Sequence, residues 1–183
     1  MSETSIDKNL RRAGEYFVYC LWLQNQMVDL IVLHDHPRII KSFIKNPTKV
    51  PRTMMVTRLR LWQKDFKDIL DEFKEKFKNS LDEEALNDLN FILSMRNAIS
   101  HSSVSIGRDY FMYRPDGRRS RITLLKKAFR SSKNPDAAKP TIFRLDFKDD
   151  ALYKKNFSVI KRLDEVVFKG IAELLRIPHS RIR

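Results

Sequence analysis

Apolar positions along the chain change their period several times. Residues 15–33 are apolar almost throughout (YFVYCLWL, then MVDLIVL), interrupted by Gln24, Asn25 and Gln26. That pattern predicts a long helix buried on most sides rather than one lying on a surface. Residues 34–37 end it, and Pro37 opens a short second helix through Lys45. Residues 46–51, with two prolines, read as a loop. Leu59, Trp62, Phe66, Ile69, Phe73 and Phe77 recur at spacings of 3, 4, 3, 4 and 4, one stripe of an amphipathic helix. Ser80-Leu-Asp-Glu83 has the form of a capping box and predicts a helix over 82–102. A last helix is predicted over 149–175, with Phe157, Ile160, Asp164, Val167, Ile171 and Leu174 in phase.

Between the last two helices the period shortens. Residues 108–114 are aromatic-rich and lead into the turn Pro115-Asp116-Gly117; residues 120–125 read as the returning strand. Residues 126–140 are a polar, basic loop. Residues 141–147 then alternate Phe143, Leu145 and Phe147 against Arg144 and Asp146, as a half-buried strand does. The expected fold is mainly α: an antiparallel helical bundle of four to five helices, with a small β-ribbon inserted before the last helix. One domain over 1–183 is expected, with the insertion at 106–148.

Composition narrows the class. A single Cys, Cys20, excludes an internal disulfide and a Cys-based zinc cage, and suits a reducing interior. The longest unbroken apolar run, residues 16–23, is eight residues long, against ~20 for a membrane span. The first residues lack the basic-then-apolar order of a secretory signal. The expectation is a soluble, cytoplasmic chain with no membrane partner.

Charge points to a partner. The chain carries 36 Lys and Arg against 23 Asp and Glu, a net charge of +13. Residues 108–133 hold nine basic and two acidic residues, over half of the excess. Such clustering favours a polyanion, most simply nucleic acid; a solvated loop that keeps the chain soluble is the alternative.

Most chemical signatures are absent: there is no GxxxxGK[ST], GxGxxG, HExxH or GxSxG. His34 and His36 lack further ligands at metal-binding spacing and read as loop imidazoles, so no metal and no cofactor is expected. The helix over 82–102 is different. Its apolar stripe Leu86, Leu89, Leu93 continues in phase to Arg96, and a guanidinium on such a seam calls for a partner or an anionic ligand. Asn90, Ser94, Asn97 and His101 form a second, wholly polar stripe. Two explanations stand: a polar cleft at the end of the helix, or a structural Arg paired with an acid such as Asp29 or Glu15.

Arg96-Asn97-Ala98-Ile99-Ser100-His101 resembles the R-x4-6-H motif of HEPN domains (higher eukaryotes and prokaryotes nucleotide-binding), with the usual polar residue directly after the Arg. The resemblance covers the helices, roughly residues 6–105 and 149–176, and leaves the ribbon and basic loop outside. It implies an α-helical homodimer and a metal-independent endoribonuclease, acting as a toxin, phage-defence effector or RNA-processing enzyme. Arg96 and His101 of two protomers would converge on one composite site, and the ~140° between them on a single ideal helix agrees with that. By this resemblance His101 is the general acid/base, Arg96 grips the scissile phosphate, and Asn97 orients the imidazole or binds RNA. In toxins of this family paired with an antitoxin protein, a Tyr commonly follows the His by two; here that position is Ser103, which puts control through such a Tyr in doubt.

The insertion supplies the expected RNA contacts: Arg118, Arg119, Arg121, Lys126, Lys127 and Arg130 along the backbone, with Tyr110, Phe111 and Tyr113 as candidates for stacking on unpaired bases or for packing on the bundle. Three functional classes are open: an RNA-cleaving enzyme, a non-catalytic nucleic-acid- or nucleotide-binding module, and a structural interaction protein.

Overall fold

The structure, a computed structural model, describes residues 4–46, 50–103, 108–115, 119–129 and 142–182. It is mainly helical, with a small two-stranded antiparallel sheet ahead of the last long helix. In chain order come α1 (Ser5–Asp35), a 3-10 turn at Pro37–Ile39, α2 (Ile40–Lys45), α3 (Arg52–Trp62), α4 (Phe66–Lys76) and α5 (Glu83–Ser100). Next are β1 (Phe111–Tyr113), α6 (Arg119–Ala128), β2 (Phe143–Leu145), α7 (Asp150–Arg162), a π-helical turn (Leu163–Phe168) and α8 (Lys169–Leu174). Contacts divide the chain into two compact units: Met1–Cys20 with Asn90–Ile160, and Leu21–Leu89 with Lys161–Arg183.

The first unit packs the start of α1 on the sheet, α6 and α7. Strand alternation puts Phe111, Tyr113, Phe143 and Leu145 in the core and leaves Arg144 outside. Phe147 continues the buried set, its ring 6.2 Å from that of Tyr16 and 5.2 Å from that of Phe129. Backbone polar groups of the strand-to-helix connection are met by α1. Asn9 accepts from the Phe147 amide at 2.7 Å. Arg12 donates to the carbonyls of Phe147 and Lys148 at 3.0 and 3.2 Å. Buried backbone groups need such partners, which explains why an Asn and an Arg face inward here.

The second unit is built around Leu30, Ile31, Val32 and Leu33 of α1, all fully buried. By length and composition alone α1 could cross a membrane; those side chains lie in the chain's own core instead. The stripe of α4 works as expected: Phe66, Ile69, Phe73 and Phe77 are buried, and Phe73 meets the Phe168 ring at 5.4 Å. Asp164, on the inner side of the π-turn, accepts from Gln26 Nε2 at 3.1 Å and lies 3.0 Å from His179 Nε2.

Several expectations are corrected. Residues 120–125 are helix, not strand. Leu125, Ala128 and Phe129 are buried while Thr123, Lys126 and Lys127 are exposed, which is a helical period, and the partner of β1 is β2 in the register Phe111↔Leu145, Met112↔Arg144, Tyr113↔Phe143. The stripe from Leu59 to Phe77 belongs to two helices. Asp65, extended at ψ 153°, starts α4, and Leu59 and Trp62 stay exposed. The cap of α5 is Asp82, which accepts from the Ala85 amide at 2.7 Å, so the cap falls two residues beyond Ser80. In the last helical stretch Ile171 is buried as expected, whereas Leu174, three residues on, is exposed.

Candidate functional site

Arg96 and His101 come from the end of α5. The buried face of that helix is Ala85, Leu89, Ile92, Met95 and Ala98, so Arg96 flanks the core seam rather than lying on it. Ser94, expected on the polar stripe, is buried and turns back to donate to the Asn90 carbonyl at 2.9 Å. The polar stripe is therefore interrupted, and what remains is its C-terminal part, Asn97 and His101.

The Arg96 guanidinium is half-buried. It lies 5.9 Å from the Phe17 ring centroid and donates from Nη1 to the Asn97 side-chain oxygen at 3.2 Å. Its Nε is buried without an acceptor, and among the described residues no carboxylate pairs with it. The two acids offered by the sequence are engaged elsewhere. Asp29 binds Arg58, and Glu15 accepts from Tyr153 Oη at 2.9 Å. Cys20 is close enough to feel the Arg96 charge, but burial dominates and pushes the thiol far up, so it is no nucleophile.

His101 is exposed just past the end of α5, its amide still bonded to the Asn97 carbonyl at 3.1 Å. Two serines finish the helix: Ser100 Oγ donates to the Asn97 carbonyl at 3.3 Å and Ser102 Oγ to that of Ala98. Ser103 then pairs with Met112 in a two-bond bridge of 2.8 and 3.1 Å. The sheet thus anchors the chain two residues after His101. Asn97, expected to orient the imidazole or to bind RNA, has its side-chain oxygen on Arg96 Nη1.

The expected RNA-contacting residues are only partly described. Arg118 and Arg130 lie outside the described residues, and Arg119 and Arg121 contribute backbone to α6. Lys126 and Lys127 are exposed and line a cavity of about 590 Å³ with Lys155, Phe129, Leu152 and Asp149. Lys155 was not expected; the doublet Lys154-Lys155, like Lys126-Lys127, was its signal. Of the aromatics, Phe111 and Tyr113 are buried and closed to any base. Tyr110 is part-exposed, but the Arg144 guanidinium covers its ring at 3.7 Å. Beside it Lys148 bonds the Asp109 carboxylate and holds it below its usual range.

His34, in the last turn of α1, and His36, just beyond that helix, have separate partners: His34 Nδ1 lies 3.1 Å from Asp35, and His36 Nε2 lies 3.0 Å from Thr57 Oγ1. No protein-family model matches the chain, and neither a curated protein nor a solved structure does.

Proposed function

We propose that the chain is an endoribonuclease of the HEPN type that uses Arg96 and His101, joined by those of a second copy. The observation that carries this reading is the state of Arg96: a half-buried cation with a buried Nε lacking an acceptor and no carboxylate paired with it among the described residues. Withdrawing a guanidinium from water without a counter-charge is unfavourable, and a phosphodiester supplies the missing charge and acceptors. His101, five residues on and exposed, lies ~140° around the helix and in this reading meets a phosphodiester gripped by the Arg96 of a second copy. Imidazole is the side chain suited to exchanging protons near neutral pH.

In the proposed reaction one His101 takes the proton from a ribose 2′-hydroxyl. That oxygen attacks the adjacent phosphorus, the bond to the 5′-oxygen breaks, and the second His101 returns a proton to the leaving oxygen. Arg96 donates to the non-bridging oxygens, where charge accumulates. The products are a 2′,3′-cyclic phosphate and a 5′-hydroxyl. A toxin or phage-defence role fits this activity.

The test is cleavage of labelled single-stranded RNA by purified protein in EDTA. Cleavage is expected from the wild type and from neither His101→Ala nor Arg96→Ala, with the circular dichroism of both variants unchanged. Cleavage that survives His101→Ala, or that needs added divalent metal, overturns the reading. A non-catalytic RNA-binding module is the second reading, favoured by the cavity that Lys126, Lys127 and Lys155 line apart from Arg96 and His101. It takes over if RNA binds with a steep salt dependence and is never cut.

A further inference from the structure

Residues 36–64 contain eight Lys or Arg and no Asp or Glu; Asp35 and Asp65 bound the stretch. Its longest helix, α3, is apolar on two opposite sides. Met54 and Leu61 are 1% and 0% exposed and face the core, whereas Met55, Val56, Leu59 and Trp62 are 37, 60, 48 and 52% exposed. At ~100° per residue those four share an arc of about 120°, centred roughly opposite the buried pair. A surface helix ordinarily puts polar residues there. Cations flank the arc instead: Arg52 continues it toward the helix start, and Arg60 stands at one edge, 59% exposed and 3.7 Å from Glu72. Arg58, at the other edge, is bonded to Asp29, with its guanidinium 5.9 Å from the Trp62 ring centroid.

We propose that this outward face of α3 docks on an anionic lipid bilayer, with Met55, Val56, Leu59 and Trp62 entering the headgroup boundary and the flanking Arg52 and Arg60 meeting lipid phosphates and carboxylates. Charge complementarity selects the occupant. Nucleic acid would satisfy the cations but offers phosphates, not apolar surface, to Val56 and Leu59. A second copy presenting the same face would set one cationic stretch against another. An anionic bilayer satisfies both halves of the pattern, as for amphipathic helices lying in an interface. The expectation of no membrane partner rested on the lack of a spanning run, which a surface helix does not need.

The experiment is co-sedimentation of the purified chain with vesicles of phosphatidylcholine alone or with added phosphatidylserine. Pelleting is expected only with phosphatidylserine, weakening as salt rises. Tryptophan emission shifts to the blue on binding, and Trp62→Phe removes that shift. Val56→Ser/Leu59→Ser alters only exposed positions and is expected to weaken vesicle binding roughly tenfold or more while the circular dichroism is unchanged. The proposal fails if phosphatidylserine vesicles do not retain the wild type. It fails equally if the double variant still pellets fully while Lys126→Ala/Lys127→Ala does not. Loss of RNA binding in the double variant would assign the face to nucleic acid, and a dimer turned to monomer would assign it to a second copy; either overturns the bilayer. Because RNA cleavage is read separately through His101→Ala, failure here and failure of the ribonuclease reading are distinguishable.

Discussion

Arg96 donates from Nη1 to the side-chain oxygen of its own neighbour, Asn97, at 3.2 Å. Two consecutive helical residues point ~100° apart, so this bond swings the guanidinium around the helix toward the side that carries Asn97. The Phe17 ring centroid lies 5.9 Å from the guanidinium. Asn97→Ala is therefore expected to leave the fold intact and the Arg96 head unheld. Single-turnover RNA cleavage should slow by up to about 100-fold, the cost of a misplaced catalytic group, with RNA affinity changed much less. Equal losses in rate and affinity would show that Asn97 contacts RNA itself.

Asp88 is 6% exposed, and the Arg162 guanidinium lies against it. Burial first, then the neighbouring Asp82 carboxylate, pushes its carboxyl up to about 6. The folded chain therefore holds a proton that the unfolded chain, with an Asp near pKa ~3.9, has already released. Across the window between about pH 4 and pH 6 the folded state binds more protons, so the contribution of Asp88 to stability falls as pH rises. Asp88→Asn removes that dependence. Urea midpoints measured at both ends of the window should show the variant gaining on the wild type at the higher pH. An offset that is the same at both ends contradicts a raised Asp88.

The fold was legible where one period persisted. The apolar run from Tyr16 to Leu33 encodes a helix buried on most sides, with Val18 and Tyr19 exposed, and the alternation of Phe143, Leu145 and Phe147 leaves a single face for the core. Two periods that mimic one another were not legible. Residues 59–77 keep spacings of 3 and 4 across the break at 63–65, and only the exposure of Leu59 and Trp62 shows that the stripe changes helix. Residues 120–125 come after a strong turn signal and read as a returning strand, although Leu125, Ala128 and Phe129 carry a helical period on into the basic stretch. At the site, motif spacing found Arg96, Asn97 and His101, but partners distant in sequence, Phe17 and Met112, are set by tertiary packing alone.

The same limit applies to Asp29, which the sequence offered as an internal partner for Arg96 and the structure gives to Arg58. The two side chains are 21% and 16% exposed, and Arg58 Nε is already buried without an acceptor. Burial raises the Asp29 carboxyl and the Arg58 charge pulls it back. Asp29→Ala would strand that guanidinium, at an expected cost of roughly 2–4 kcal/mol in urea unfolding. Arg58→Met added to it should recover part of the loss, because the stranded charge is then gone. A double variant no more stable than Asp29→Ala would show that the loss comes from packing.

Arg176 has φ 59°, the left-handed region that favours glycine. It comes after α8 at the place where a helix commonly reverses. The Ile177 amide donates to the Ala172 carbonyl at 2.9 Å, and the Ile177 side chain is buried, the two marks of a Schellman ending. The conformation is imposed by that bond and that burial, so the Arg side chain bears the steric cost of its Cβ. Arg176 is exposed, and replacing it loses little packing. Arg176→Gly is expected to stabilise the chain by about 0.5–1 kcal/mol, the relief of a left-handed non-glycine residue less the added freedom of the unfolded glycine. Arg176→Ala, which keeps Cβ and drops the charge, is the control and should leave the urea midpoint close to the wild type. Equal gains from Ala and Gly would trace the effect to charge in this strongly basic chain and not to the backbone.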